Sequence, residues 1–156
     1  MRKAMLLLAV FGLAGSLWAG DPMLGAWKLN IAKSKFPLSA QAPPKELTQV
    51  IRKLNRNQGE FSQTGIRTDG TPISVKYMVP RQGGVVKTQF PLPEGASIIV
   101  KKADSYNVYT TYMQDGKKVA EIHGVVSKDG KTLTQTTKIT DDQGKLIEQI
   151  EVFDKQ

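Results

Sequence analysis

Apolar and polar residues alternate along most of this chain in short runs rather than recurring every three or four positions. Ile73, Val75, Tyr77 and Val79 occupy every second place, as do Tyr106, Val108, Thr110 and Tyr112. A period of two puts each set on one face of an extended strand. In the final run Leu146, Ile150 and Val152 oppose Ile147 and Phe153, so both faces there carry apolar groups. The runs are about eight to ten residues long and rich in Val, Ile, Thr, Tyr and Phe. Between them stand Asn57-Gln58-Gly59, Asp69-Gly70, Gln82-Gly83-Gly84, Asp115-Gly116, Asp129-Gly130 and Asp142-Gln143-Gly144, with weaker punctuation at Glu94-Gly95 and Asp104-Ser105. Gly, Asn and Asp tolerate the positive φ of tight hairpin turns.

This pattern predicts an all-β protein, an antiparallel up-and-down meander. The expected strands are 24–30, 45–56, 60–68, 72–79, 85–90, 96–102, 106–114, 117–127, 132–140 and 145–154. That makes about 8–10 strands, enough for a sandwich or a closed barrel. Residues 45–56 also fit an amphipathic helix, with Leu47, Val50, Ile51 and Leu54 on one face. A strand is preferred because the segment runs into the turn at Asn57. Ile31 to Pro44 has no clear periodicity and ends in Gln41-Ala42-Pro43-Pro44, so it reads as a crossing segment with a brief helical turn at Ile31 to Lys35. Pro91 and Pro93 confine residues 90–93 to a loop or edge.

The first nineteen residues read differently. Arg2 and Lys3 precede an apolar run from Met5 to Leu13, then small residues and Leu17-Trp18-Ala19. That is a secretory signal layout, with cleavage expected after Ala19. The run is shorter than the roughly 20 apolar residues that span a bilayer. Residues 20–156 are then expected to form a single β-barrel domain. It would carry no cysteine, and export without disulfides fits a Gram-negative periplasm better than a eukaryotic secretory route. The whole chain carries +8 from 22 Lys and Arg against 14 Asp and Glu. Loss of Arg2 and Lys3 leaves 20 cations and a charge of +6. These cations are scattered over nearly every strand, whereas nucleic-acid binding calls for a clustered stripe. No nucleic-acid partner is expected.

Chemistry is sparse. With one histidine, His123, and no Cys, a zinc site lacks its three or four N or S ligands. No Gly-x-Ser-x-Gly elbow accompanies His123, which reads as a sheet-face residue beside Glu121. Asp141-Asp142 fall in a turn, and Glu148 and Glu151 face opposite sides of one strand, so no facing acid pair suggests a glycosidase. No catalytic residue, metal or cofactor is expected. Tyrosines, with an apolar body and a polar tip, suit a core or a pocket wall equally.

The opening Gly25-x-Trp27-x-Leu29 before such a meander resembles the calycin superfamily, the lipocalins and fatty-acid-binding proteins. The resemblance implies a barrel whose floor Trp27 closes; beside it, Gly25 is expected to be kept small so that neighbouring backbone can approach. The ending Glu151-Val152-Phe153-Asp154-Lys155 resembles the last strand of intracellular fatty-acid-binding proteins. There an inward Arg and Tyr hold a carboxylate; the matching positions here are Glu151 and Phe153. Residues 31–44 are also too short and Pro-rich for that family's helical lid. The chain is similar, too, to small secreted bacterial proteins of unestablished function with a WKLN…KSKF opening and a VSKDGKT hairpin, here residues 27–30, 33–36 and 126–132.

Together these readings imply a secreted, lipocalin-like protein that binds a small apolar or amphipathic ligand, with Tyr77, Tyr112, Glu151 and Phe153 as candidate ligand-binding residues. Two alternatives stay open at this level: a filled barrel acting as an envelope interaction module, and an enzyme inhibitor presenting the long segment Val79 to Gly95. An internal cavity above about 300 Å³ separates the carrier from the packed module.

Overall fold

The computed structural model describes residues 20–37, 42–88, 91–141 and 143–156. The expected signal segment lies outside the described residues, as do parts of the crossing segment, of the 85–90 strand and of the 142–144 turn. Eleven strands are present among the described residues: β1 (Gly25–Leu29), β2 (Glu46–Lys53), β3 (Gln58–Ile66), β4 (Pro72–Pro80), β5 (Gly84–Val85), β6 (Lys87–Thr88), β7 (Ala96–Lys102), β8 (Asn107–Gln114), β9 (Lys117–Val126), β10 (Thr132–Thr140) and β11 (Leu146–Lys155). Residues 46–53 are therefore strand and not helix. All lie in one antiparallel sheet of order β5-β7-β8-β9-β10-β11-β1-β2-β3-β4-β6.

The two ends of that order are neighbours in sequence, and this nearly closes the sheet into a barrel. Gly84 and Val85 pair with Val100 and Ile99 of β7, whereas Lys87 and Thr88 pair with Met78 and Tyr77 of β4. Between them the buried Val86 donates its N–H to the Ile98 carbonyl at 2.9 Å. The strand expected at 85–90 is thus two short pieces, because one run must serve two partners in turn. This also places the middle of the 79–95 segment in the barrel wall, where it cannot project as an inhibitory loop.

Hairpin chemistry follows the turn residues. Asp115 and Gly116 both take positive φ, 50° and 75°, and they alone separate β8 from β9. Two positive φ values in a two-residue loop match the twist of the flanking strands. Gly25 has φ +132°, and a Cβ there would sit 2.9 Å from Cε of Lys155. The glycine is therefore required by its own backbone conformation, and not by an approaching main chain as expected; the flexible end of Lys155 can move aside.

A dense cluster fills one part of the barrel: Met23, Trp27, Leu29, Leu47, Val126, Leu133 and Phe153. Trp27 is fully buried, and its indole N–H donates to the Met23 carbonyl at 3.0 Å, so its polar atom is satisfied. Beyond Leu29 the chain makes a 3₁₀ turn, Ile31–Lys33, capped by the Asn30 side chain, which accepts from the Lys33 N–H at 3.1 Å. Asn30 Nδ2 also donates to Asp154 Oδ2 at 2.6 Å. Ser34 Oγ accepts from the Val152 N–H at 2.9 Å, and Lys35 pairs with Ile150. The opening motif therefore stitches the crossing segment to β11. In the late motif, Ser127 Oγ accepts from the Thr132 N–H at 3.0 Å and Asp129 Oδ1 from the Lys131 N–H at 3.1 Å, which folds the β9–β10 turn. Both signatures build scaffold. Among the described residues no helix is long and apolar enough to cross a membrane.

Candidate functional site

Above the cluster around Trp27 the barrel holds a partly open cavity of about 1030 Å³. Its wall follows from strand parity. Ile73, Val75, Tyr77 and Val79 all line it from β4, and Val108, Thr110 and Tyr112 from β8. Tyr106, the fourth member of that alternating set, lies before β8 and is exposed. Ile98 and Val100 of β7 complete the apolar side between these strands.

Tyr77 and Tyr112 come together although some 35 residues of chain separate them, because the 84–88 run and β7 are all that lie between β4 and β8. Both pack on the cluster of Val86, Ile98 and Val100. Phe61 stacks on Tyr77, with centroids 4.7 Å apart and planes 22° from parallel. Burial pushes the Tyr77 hydroxyl far above its ordinary range, and the neighbouring Tyr112 adds to this; burial likewise raises Tyr112. Both phenols are neutral at any physiological pH, each a hydrogen-bonding tip on an apolar ring.

Glu151 lines the cavity from β11. Burial raises its carboxyl pKa above the ordinary value, and a hydrogen bond from Gln149 partly offsets this. Across the β10–β11 ladder it is in register with Gln135, which also lines the cavity. Gln135 in turn exchanges side-chain hydrogen bonds with Gln49, at 3.2 and 3.4 Å. Gln49 is fully buried and pairs in register with Gln63 of β3. Glu151, Gln149, Gln135 and Gln63 thus form a polar patch on the cavity wall, with Gln49 buried behind it. Sequence reasoning missed these glutamines. Their signal was a polar residue at an inward position between apolar ones, as in Leu47-x-Gln49-x-Ile51, and it becomes legible only once the inward face is known.

Phe153 does not belong to this lining. It shares the inner face with Glu151 but is fully buried in the Trp27 cluster, in register with Leu29 and Leu133. The candidate ligand-binding set therefore divides: Tyr77, Tyr112 and Glu151 face the cavity, and Phe153 is part of the plug beneath it. The reason is depth along the barrel, where two residues further along β11 reach the packed floor.

Cations also border the cavity, and two of them meet acids that line it with them. Arg52 Nε donates to Glu60 Oε1 at 2.8 Å, and Lys76 Nζ approaches Glu60 Oε2 at 3.0 Å. These contacts, the Lys76 hydrogen bond foremost, hold the Glu60 carboxyl below its usual range. Lys102 pairs with Asp21, and Arg67 donates to the Pro72 carbonyl at 3.3 Å. Among the described residues no lysine or arginine pairs with Glu151. His123 lies on the opposite face of β9 from the cavity-lining Ile122, stacked on Tyr109 at 4.3 Å and bonded to Asn107 Oδ1 at 3.0 Å. Among the described residues no three His, Asp or Glu side chains converge to hold a metal ion.

In sequence, no family model and no curated protein matches the chain. In structure it is similar to the wild-type fluorescent protein UnaG, with a TM-score of 0.59 at 13% identity over 87% of this chain and 98% of that one. It is similar also to zebrafish ileal bile acid-binding protein complexed with cholic acid, with a TM-score of 0.51 at 13% identity over 86% and 99%. At such identities the likeness speaks for the fold alone: the chain is an all-β, antiparallel, nearly closed barrel like these two proteins.

Proposed function

We propose that this protein is an exported, non-enzymatic carrier that holds a small apolar or amphipathic ligand inside its barrel. The observation that carries the reading is the cavity of about 1030 Å³, apolar over most of its wall, with two neutral tyrosines and one polar patch. Ligand pockets are commonly of this volume and composition, with few polar groups to orient the guest. A packed interaction module has no use for such a space. The likeness to a bile acid-binding protein supports a guest of this general kind. Tyr77, Tyr112 and Glu151 are the side chains proposed to touch it. Export to a periplasm is supported by the positive and apolar segments ahead of Ala19 and by the lack of cysteine.

Native mass spectrometry of protein recovered from the exporting cell tests both parts. The expected result is a chain beginning at Gly20 that carries a bound small molecule. A chain beginning at Met1 refutes export with cleavage. Purified protein that neither carries a guest nor takes up the neutral apolar dye Nile red refutes the carrier.

A further inference from the structure

The polar patch makes a sharper statement about the guest, one that rests on the carrier reading. Glu151 presents its carboxyl to the cavity. A carboxylate has about four lone-pair sites, and Gln149 occupies part of that capacity. Gln135, its register partner, is engaged with Gln49. The ion pairs among the described residues involve Asp21, Glu60, Glu121, Glu148 and Asp154, and none reaches Glu151. Glu151 lines the cavity, so the acceptor sites that Gln149 leaves are within reach of a guest there. An ionised acid without a cation, in a space of low polarity, repels anions and favours a cation or strong donor.

We propose that the ligand has an apolar body ending in a protonated nitrogen, an ammonium or amidinium group, which donates to Glu151 while the body lies against the Tyr77–Tyr112 wall. Gln149 holds the carboxylate in place, and the amides of Gln135 and Gln49 keep the surroundings polar. The chain as a whole is basic and draws anions by long-range attraction, and cations such as Arg52 and Lys102 border the cavity; the preference for a cation is local to Glu151. Cholic acid, bound by a structurally similar barrel, is a carboxylic acid; the chemistry here selects the opposite end-group.

Three probes with one tail separate the end-group from the apolar body. Decylammonium, decanol and decanoate are titrated against protein loaded with Nile red at neutral pH. The expected result is displacement by decylammonium at a concentration at least roughly tenfold lower than decanol, the scale of one charge-assisted hydrogen bond, with decanoate weakest. Glu151→Gln should remove the advantage of decylammonium over decanol. Nile red uptake with no preference for decylammonium, or with decanoate strongest, overturns this proposal and leaves the carrier standing. Folded protein that takes up neither dye nor any probe refutes both. The wild-type ranking decides selectivity without a variant. Should Glu151→Gln fail to fold, the carboxyl ¹³C resonance of Glu151 assigns it: decylammonium should shift that signal and decanol should not, and an unmoved signal overturns the assignment.

Discussion

Replacing Trp27 by alanine removes the largest side chain of the barrel floor. Trp27 is fully buried against Met23, Leu29, Leu133 and Phe153, and Trp→Ala at such sites costs about 3–5 kcal/mol. Two smaller losses add to this. The Met23 carbonyl loses its indole donor, a bond worth about 1 kcal/mol. The Lys155 ammonium, 4.8 Å from the ring centroid, loses a contact worth about 0.5–1 kcal/mol at an exposed site. One effect runs the other way: the floor borders a cavity, so neighbours can relax into the hole and hold the total near the lower part of the range. Domains are stable by about 5–15 kcal/mol, so the variant should lose roughly a fifth to three fifths of its stability. Trp27→Phe keeps an aromatic ring and loses the donor, and should cost about 1–2 kcal/mol. Urea unfolding followed by circular dichroism reads both, provided that m is unchanged. A loss below about 1 kcal/mol for Trp27→Ala, or equal losses for the two variants, refutes the assignment of Trp27 as the packed floor.

Three further outcomes are expected. Burial holds the folded Glu151 carboxyl pKa above its unfolded value. Its ionisation therefore opposes folding, with no cost below the unfolded pKa and the full cost above the folded one. Glu151→Gln should match wild type in acid and become the more stable as pH rises through that window; a pH-independent difference in urea midpoint contradicts this. Gly65→Ala should be far more damaging than Gly116→Ala. A Cβ at 65 would lie 2.2 Å from the Glu46 carbonyl oxygen and break into the β2–β3 ladder, while one at 116 meets nothing within 4 Å. The latter pays only for its positive φ, about 1–2 kcal/mol, and thermal unfolding of the pair decides. Tyr77→Phe should leave the fold intact, since the ring stack on Phe61 persists, and should change Nile red emission by making its pocket less polar; an unchanged spectrum places the dye elsewhere.

What the amino-acid sequence determined by itself was local. Alternation put Ile73, Val75, Tyr77 and Val79 on one face because side-chain direction in a strand depends only on residue spacing. The Asp-Gly pairs announced the hairpins because φ preference belongs to the residue. Those two facts sufficed for an all-β meander and for most of its strand boundaries. They did not suffice at 84–88, where the break between β5 and β6 is imposed by two different partners. Nor could they tell Glu151 from Phe153. Both lie on one face of β11 at adjacent inward positions, yet Phe153 meets Leu29 and Leu133 whereas Glu151 meets Gln135. Depth along the barrel axis is set by the register of strands remote in sequence, and periodicity carries no record of it. The same non-local pairing brings Tyr112 beside Tyr77 and Gln49 beside Gln135. The residues that face the cavity were written in the chain; their distance from its floor was decided only when the sheet closed.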